Sequence, residues 1–140
     1  MKFPWHSDKK KVAERVVGGR YASESVVASR TAAGVTFTIA KMSFGRRVEL
    51  MRRVRELARR TEFLAASGEA GEKMDSALLH AEIERLFVMW GLKAVSGLAV
   101  DGSVAGPELL ADAGPEELFR EALAAVRRET GLSEEERKNC

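Results

Sequence analysis

Cysteine, histidine and proline are almost missing from this chain, and each scarcity removes a class of protein. The one cysteine among 140 residues is Cys140, at the last position. No intrachain disulfide can form, the chain suits a reducing compartment, and whether that thiol is native or left from cloning stays open. Two histidines, His6 and His80, are too few for a histidine-rich metal centre, and no Gly-x-Ser-x-Gly or paired-acid signature accompanies them. With 3 prolines and 12 glycines in no fixed period, collagen-like and proline-rich architectures are excluded. No apolar run approaches the roughly 18 residues that would span a bilayer, and the opening MKFPWHSDKKK lacks the apolar stretch of a secretory signal. The expected location is the cytoplasm, with no membrane partner. Charge of one sign is lacking too: 23 basic against 21 acidic residues leave +2, too little for a global field, so only their distribution can matter.

What is present is a globular composition, 45% hydrophobic and 31% charged. At 140 residues it forms a single domain with a real core. No internal repeat or low-complexity tract interrupts it. The first eleven residues are polar and basic, with Lys9, Lys10 and Lys11 together and Trp5 as either a docking residue or one that folds back on the core. From Val12 to Met42 short β-branched runs, Val16-Val17 and Val26-Val27, are broken by Gly18-Gly19 and Gly34. VTFTIA, residues 35 to 40, alternates as a half-buried strand should. Gly18-Gly19-Arg20 has neither GxGxxG spacing nor a P-loop lysine, so it reads as a hairpin or joint and not as an anion cradle.

Three longer helices and one short helix follow. Ser43 is the expected N-cap of a helix to about Ala66, with Leu50, Val54, Leu57 and Leu64 on one stripe and Met51 and Ala58 beside it. After a glycine-containing loop from Ser67 to about Lys73, LLHAEIERLFVMW places Leu79, Ile83, Leu86, Phe87 and Trp90 along one face, and Gly91 suits the C-cap. LKAVSGLAV then reads as the first arm of a hairpin, Asp101-Gly102 as its type I′ turn and Val104 as the start of the return. Pro107 opens a short helix that Gly114 ends. Pro115 with Glu116-Glu117 opens the last one, buried through Leu118, Phe119, Ala122, Leu123 and Val126, with Arg127-Arg128 near its negative end. Gly131 closes it, and Ser133-Glu134-Glu135-Glu136 caps a further turn. The fold class is α+β with helix dominating: three main helices, a short helix, a small β-hairpin and an N-terminal strand region. Residues 1–34 form an N-terminal extension, partly flexible with short strands, and residues 35–140 a single helical domain.

The first long helix carries the most distinctive chemistry. Arg46, Arg47, Arg52, Arg53, Arg55, Arg59 and Arg60 face Glu49, Glu56 and Glu62, a net +4, with Glu49–Arg53 and Glu56–Arg60 in the favourable i, i+4 order. Such a face is a solvated surface, a dock for an acidic protein or a nucleic-acid surface. The last reading wants interleaved aromatics or a known module, and the helix offers neither. His80 and Glu84 share a helix face without a third ligand, and Asp101 lacks the spaced acids of a calcium loop. No catalytic, cofactor-binding or metal site is assigned, and the protein is not expected to be an enzyme.

The second half also carries a resemblance. A Trp90-Gly91-Leu92 run closing a helix, Val-x-Gly-Leu-x-Val-Asp-Gly from Val95 to Gly102, the Leu109-Leu110 pair, Gly114-Pro115-Glu116-Glu117-Leu118 and the terminal LSEEERKN, preceded by FTIAKMSFGRRVELMRRVREL, together resemble the tail assembly chaperones of tailed phages and prophages. The resemblance runs from about Val35 to Asn139 and rests on the order of these pieces, while the first 34 residues have no counterpart in it. It implies a non-enzymatic protein that binds the tape measure protein before assembly, keeps it soluble, helps recruit tail tube subunits and leaves the finished virion, in many members made in two lengths by a frameshift. The expected contacts are Arg52, Arg53, Arg59 and Arg60, with Trp90 and Leu92 structural. A structural component of the tail or connector and a small nucleic-acid-binding regulator are the rival readings. Oligomeric state is not legible.

Overall fold

The computed structural model describes residues 19–65 and 72–130, with side chains from 61 onward in the first helix described only at Glu62, and those of the second from Asp75. Trp5, His6, Lys9 to Lys11, Val16 to Gly18, the Leu64 side chain, Gly68, Gly71, Gly131, Ser133 to Glu136 and Cys140 lie outside them.

Strands β1 (Glu24–Ala28), β2 (Thr36–Ala40) and β3 (Leu92–Ser96) form an antiparallel sheet in the order β1-β2-β3, and β4 (Ala99–Val100) pairs with β5 (Ser103–Val104) in a separate two-stranded ribbon. Among the described residues four helices complete the fold: α1 (Phe44–Ala65), α2 (Glu72–Gly91), α3 (Pro107–Ala113) and α4 (Glu116–Thr130). This is the helix-dominated α+β class that the pattern predicts. The β1–β2 hairpin straddles the boundary drawn at 34/35, so β1 belongs to the same sheet as β2 and β3.

The sheet turns one side to the helices. Val35, Phe37 and Ile39 are buried while Thr36 and Thr38 are only half covered, the period-2 alternation of a strand with one packed face. On β3 both Leu92 and Val95 are buried, although a spacing of three should put them on opposite faces. A bulge reconciles them: Thr38 pairs with Ala94 but Ile39 with Leu92, so Lys93 has no opposite residue and points outward. Here the structure corrects the reading of LKAVSGLAV as one hairpin arm. It breaks at Gly97, its first half completes the large sheet, and only its second half belongs to the ribbon. Gly97 has φ +82 and lies so close to the Gly34 carbonyl that a side chain would collide with backbone, which welds β3's end to the β1–β2 turn. The ribbon's turn is type I′ as expected, with φ 48 at Asp101 and 79 at Gly102.

Phe37, Ile39, Leu92 and Val95 pack with Val88 and Trp90 of α2, Leu50 of α1, Leu110 of α3, and Leu118, Ala122, Leu123, Ala125 and Val126 of α4. The α4 stripe is as predicted, with Phe119 at its edge. On α2 the centre shifts: Leu79, Ile83, Leu86 and Phe87 are only half buried, while Val88 and Glu84 are inside. The helix ends at Gly91, where α4 packs so closely that Val126 Cγ1 lies 2.5 Å from where a Cβ would stand. It also begins at Glu72, inside the segment read as loop. Pro107 and Gly114 bound α3 as expected.

Candidate interaction surface

Seven arginines on one helix look alike in sequence, but the structure sorts them into three sets. Ser43 caps α1, its Oγ accepting from the Arg46 N–H at 3.3 Å and its carbonyl from Arg47 at 2.9 Å. The first turn therefore carries Arg46 and Arg47 beside the positive end of its own dipole, an unfavourable place for cations. Both leave it for the negative ends of other helices. Arg46 Nη2 donates to the Trp90 carbonyl at the end of α2 at 2.8 Å, its guanidinium lying 4.5 Å from the Trp90 ring centroid. Arg47 Nη2 donates to the carbonyl of Thr130, the last residue of α4, at 3.3 Å. These two are structural clamps.

Arg53 is held by Glu49 at 2.6 Å, the predicted i, i+4 pair. The second expected pair is not made, since Glu56 and Arg60 show no contact within bridging distance, and both side chains are exposed. Arg60 therefore joins the remaining arginines, Arg52, Arg55 and Arg59: all four are exposed, and among the described residues no carboxylate pairs with them. At about 100° per residue Arg52 and Arg59 share one line along α1, whereas Arg53 and Arg60 share another about 100° away. The four expected contact residues, Arg52, Arg53, Arg59 and Arg60, thus fall on two lines of α1, all of them exposed.

Sequence reasoning missed the apolar companions of the first line. Phe44, Val48 and Met51 are exposed at 83%, 38% and 61%, with Arg55 at the next i+4 step and Arg52 and Arg59 alongside. Met51, expected beside the buried stripe, faces solvent, while Leu50 and Val54 of the stripe pack on the core. The signal was present: Phe44, Val48 and Met51 follow the same helical period as the buried stripe, so α1 has a second, shorter apolar line.

Elsewhere the chemistry is structural. Glu84, read as a companion to His80, is 7% exposed and accepts from Arg120 Nη1 at 2.5 Å, while His80 stays on the surface. Among the described residues no group of three or more His, Cys, Asp or Glu is placed to hold a metal, and no helix is long and apolar enough to cross a membrane. A shallow depression beside α3, lined by Met89, Leu92, Pro107, Glu108 and Leu109, carries a single carboxylate. Asp101 is taken up by its turn. Trp90 and Leu92 are buried, as structural roles require.

On the other side of the molecule Glu121 of α4 holds the β1–β2 turn, accepting from Ser29 Oγ at 2.5 Å and from the Arg30 N–H at 2.7 Å. Desolvation pushes its pKa up, but the hydrogen bonds from Ser29, Arg30 and Thr31 outweigh it, and the net shift is downward.

No family model, curated protein or solved structure matches this chain.

Proposed function

We propose that the protein is a tail assembly chaperone of a tailed phage or prophage, a non-enzymatic binding module that holds the tape measure protein before assembly and helps recruit tail tube subunits. The supporting observation is the outer surface of α1, where arginines without a carboxylate partner among the described residues and exposed apolar side chains lie together on a helix whose opposite side is fixed in the core. A surface of that kind suits an acidic, amphipathic helical partner: apolar side chains mask the partner's apolar line, and the charges steer and orient it. The resemblance carried by the order of motifs from about Val35 to Asn139 is what points to the tape measure protein as that partner.

The test is co-expression with the tape measure protein and tail tube subunit encoded beside it, with affinity capture in the presence of nuclease. Capture of the tape measure protein, lost when Arg52, Arg53, Arg59 and Arg60 are all changed to glutamate in a chain that stays folded, supports the reading. Retention of the protein in purified particles makes it a structural tail or connector component instead. Recovery of nucleic acid alone, lost steeply as salt rises, makes it a nucleic-acid-binding regulator.

A further inference from the structure

The contact surface is narrower than the basic face and differently composed. We infer that the docking site is the single line formed by Phe44, Val48 and Met51 with Arg52, Arg55 and Arg59, and that its occupant is a helix bearing one apolar line flanked by carboxylates. This rests on the chaperone reading only for the partner's name; the surface itself follows from α1.

Three observations carry it. The apolar members recur at the i, i+4, i+7 spacing that matches the pitch of a second helix, and Phe44 is among the most exposed large apolar side chains described. Among the described residues the arginines on the same line pair with no carboxylate, as Arg60 off the line also does not, whereas Arg53, a turn's flank away, is already neutralised by Glu49. The two sides of α1 that touch the rest of the molecule are taken, Leu50 and Val54 sitting on the core and Arg46 and Arg47 capping neighbouring helices, and the exposed side with Arg53, Glu56 and Arg60 carries no large apolar side chain. A second copy of this chain is a poor occupant, since α1 against α1 would bring six arginines together against two copies each of Glu56 and Glu62, an excess of positive charge. Nucleic acid is also disfavoured: Phe44 could stack on a base, but Val48 and Met51 then stand where a strand needs donors or further rings.

The experiment uses the full chain and a fluorescent synthetic helix of about 18 residues with leucine on one line and glutamate on its flanks, beside a counterpart with lysine for glutamate. Anisotropy titration should show the glutamate peptide binding at least about tenfold more tightly than the lysine peptide. Phe44→Ser with Met51→Ser, and separately Arg52→Glu with Arg55→Glu and Arg59→Glu, should each weaken it by about tenfold or more. Arg53→Glu with Arg60→Glu should change it by less than about threefold. All these side chains are exposed, so circular dichroism should stay as in the parent chain, and melting should shift only slightly where Arg53→Glu removes the exposed pair with Glu49. Equal binding of both peptides, an equal loss on reversing Arg53 and Arg60, displacement of the peptide by oligothymidylate, or a dimer that Phe44→Ser with Met51→Ser dissolves would each overturn the inference. Capture of the tape measure protein that ignores the Phe44 and Met51 changes sinks this surface and leaves the chaperone reading standing. The expected peptide pattern without any tape measure capture does the reverse.

Discussion

Arg46 shows how little a residue's type says about its job. Its guanidinium closes the end of α2 through the Trp90 carbonyl and stacks on the Trp90 ring, in a site where Trp90 itself is 3% exposed. Removing it should leave both a helix terminus and an aromatic face without a partner, so Arg46→Ala should cost about 1–3 kcal/mol in urea unfolding. Arg46→Lys should recover less than half of that, because an ammonium cannot stack and donate in the same plane; full recovery by lysine would mean that charge alone matters. Glu121 makes a different prediction, in pH. Its folded pKa lies below the ordinary 4.5, so ionised Glu121 favours the folded state. That contribution is fully present above the unfolded value and is lost as pH falls through the lower folded value. Glu121→Gln should therefore be less stable than the parent at neutral pH and converge on it below pH 4.5, read from paired melting curves across the acid range. A gap that persists unchanged at low pH would show that the carboxylate's charge has no part in holding Ser29 and Arg30.

At the scale of elements, the joint between β3 and the β1–β2 turn is the tightest point of the sheet. Gly97 combines φ +82 with backbone contact against Gly34. Gly97→Ala meets both a disfavoured conformation and a collision that no side-chain rotation relieves, and should cost about 2–4 kcal/mol, whereas Gly34→Ala, at φ +84 but in open space, should cost about 1–2 kcal/mol. Equal losses at the two positions would mean that conformation alone governs both. This joint was also the least legible part of the chain. The helices could be read from Ser43, Pro107, Pro115, Gly91 and Gly114 because caps and breakers act locally, and the buried line of α4 because Leu118, Ala122 and Val126 keep one period. Lys93 hides a bulge, and a bulge is decided by the partner strand, which sequence order does not display. The same holds for the arginines of α1. Charge count finds the helix, but the reach of Arg46 to α2 and of Arg47 to α4 depends on which helices end beside Ser43, a fact of packing alone.

For the molecule as a whole, the N-terminal strand decides whether the fold is one unit. β1 is an edge strand with Val26 exposed at 68%, and a free edge with apolar side chains tends to be the first part of a sheet to open. Here it is tied down from the far end of the chain, by Glu121 on Ser29 and Arg30 and by Glu129 accepting from Ser25 at 3.3 Å. Those ties link residues 91 to 104 positions apart, so β1 should open only when α4 leaves the sheet, and unfolding should be a single transition. A chain beginning at Val35 would lose the strand, expose the edge of β2 next to Phe37 and Ile39, and strand Glu121 without its donors. Its midpoint should fall by roughly 10 °C or more, the shift expected for about 2 kcal/mol in a domain of this size, and size-exclusion chromatography should show aggregates. If that shortened chain instead melts like the parent and remains monomeric, the division at residue 34 is a true domain boundary, and β1 is an appendage that the sheet does not need.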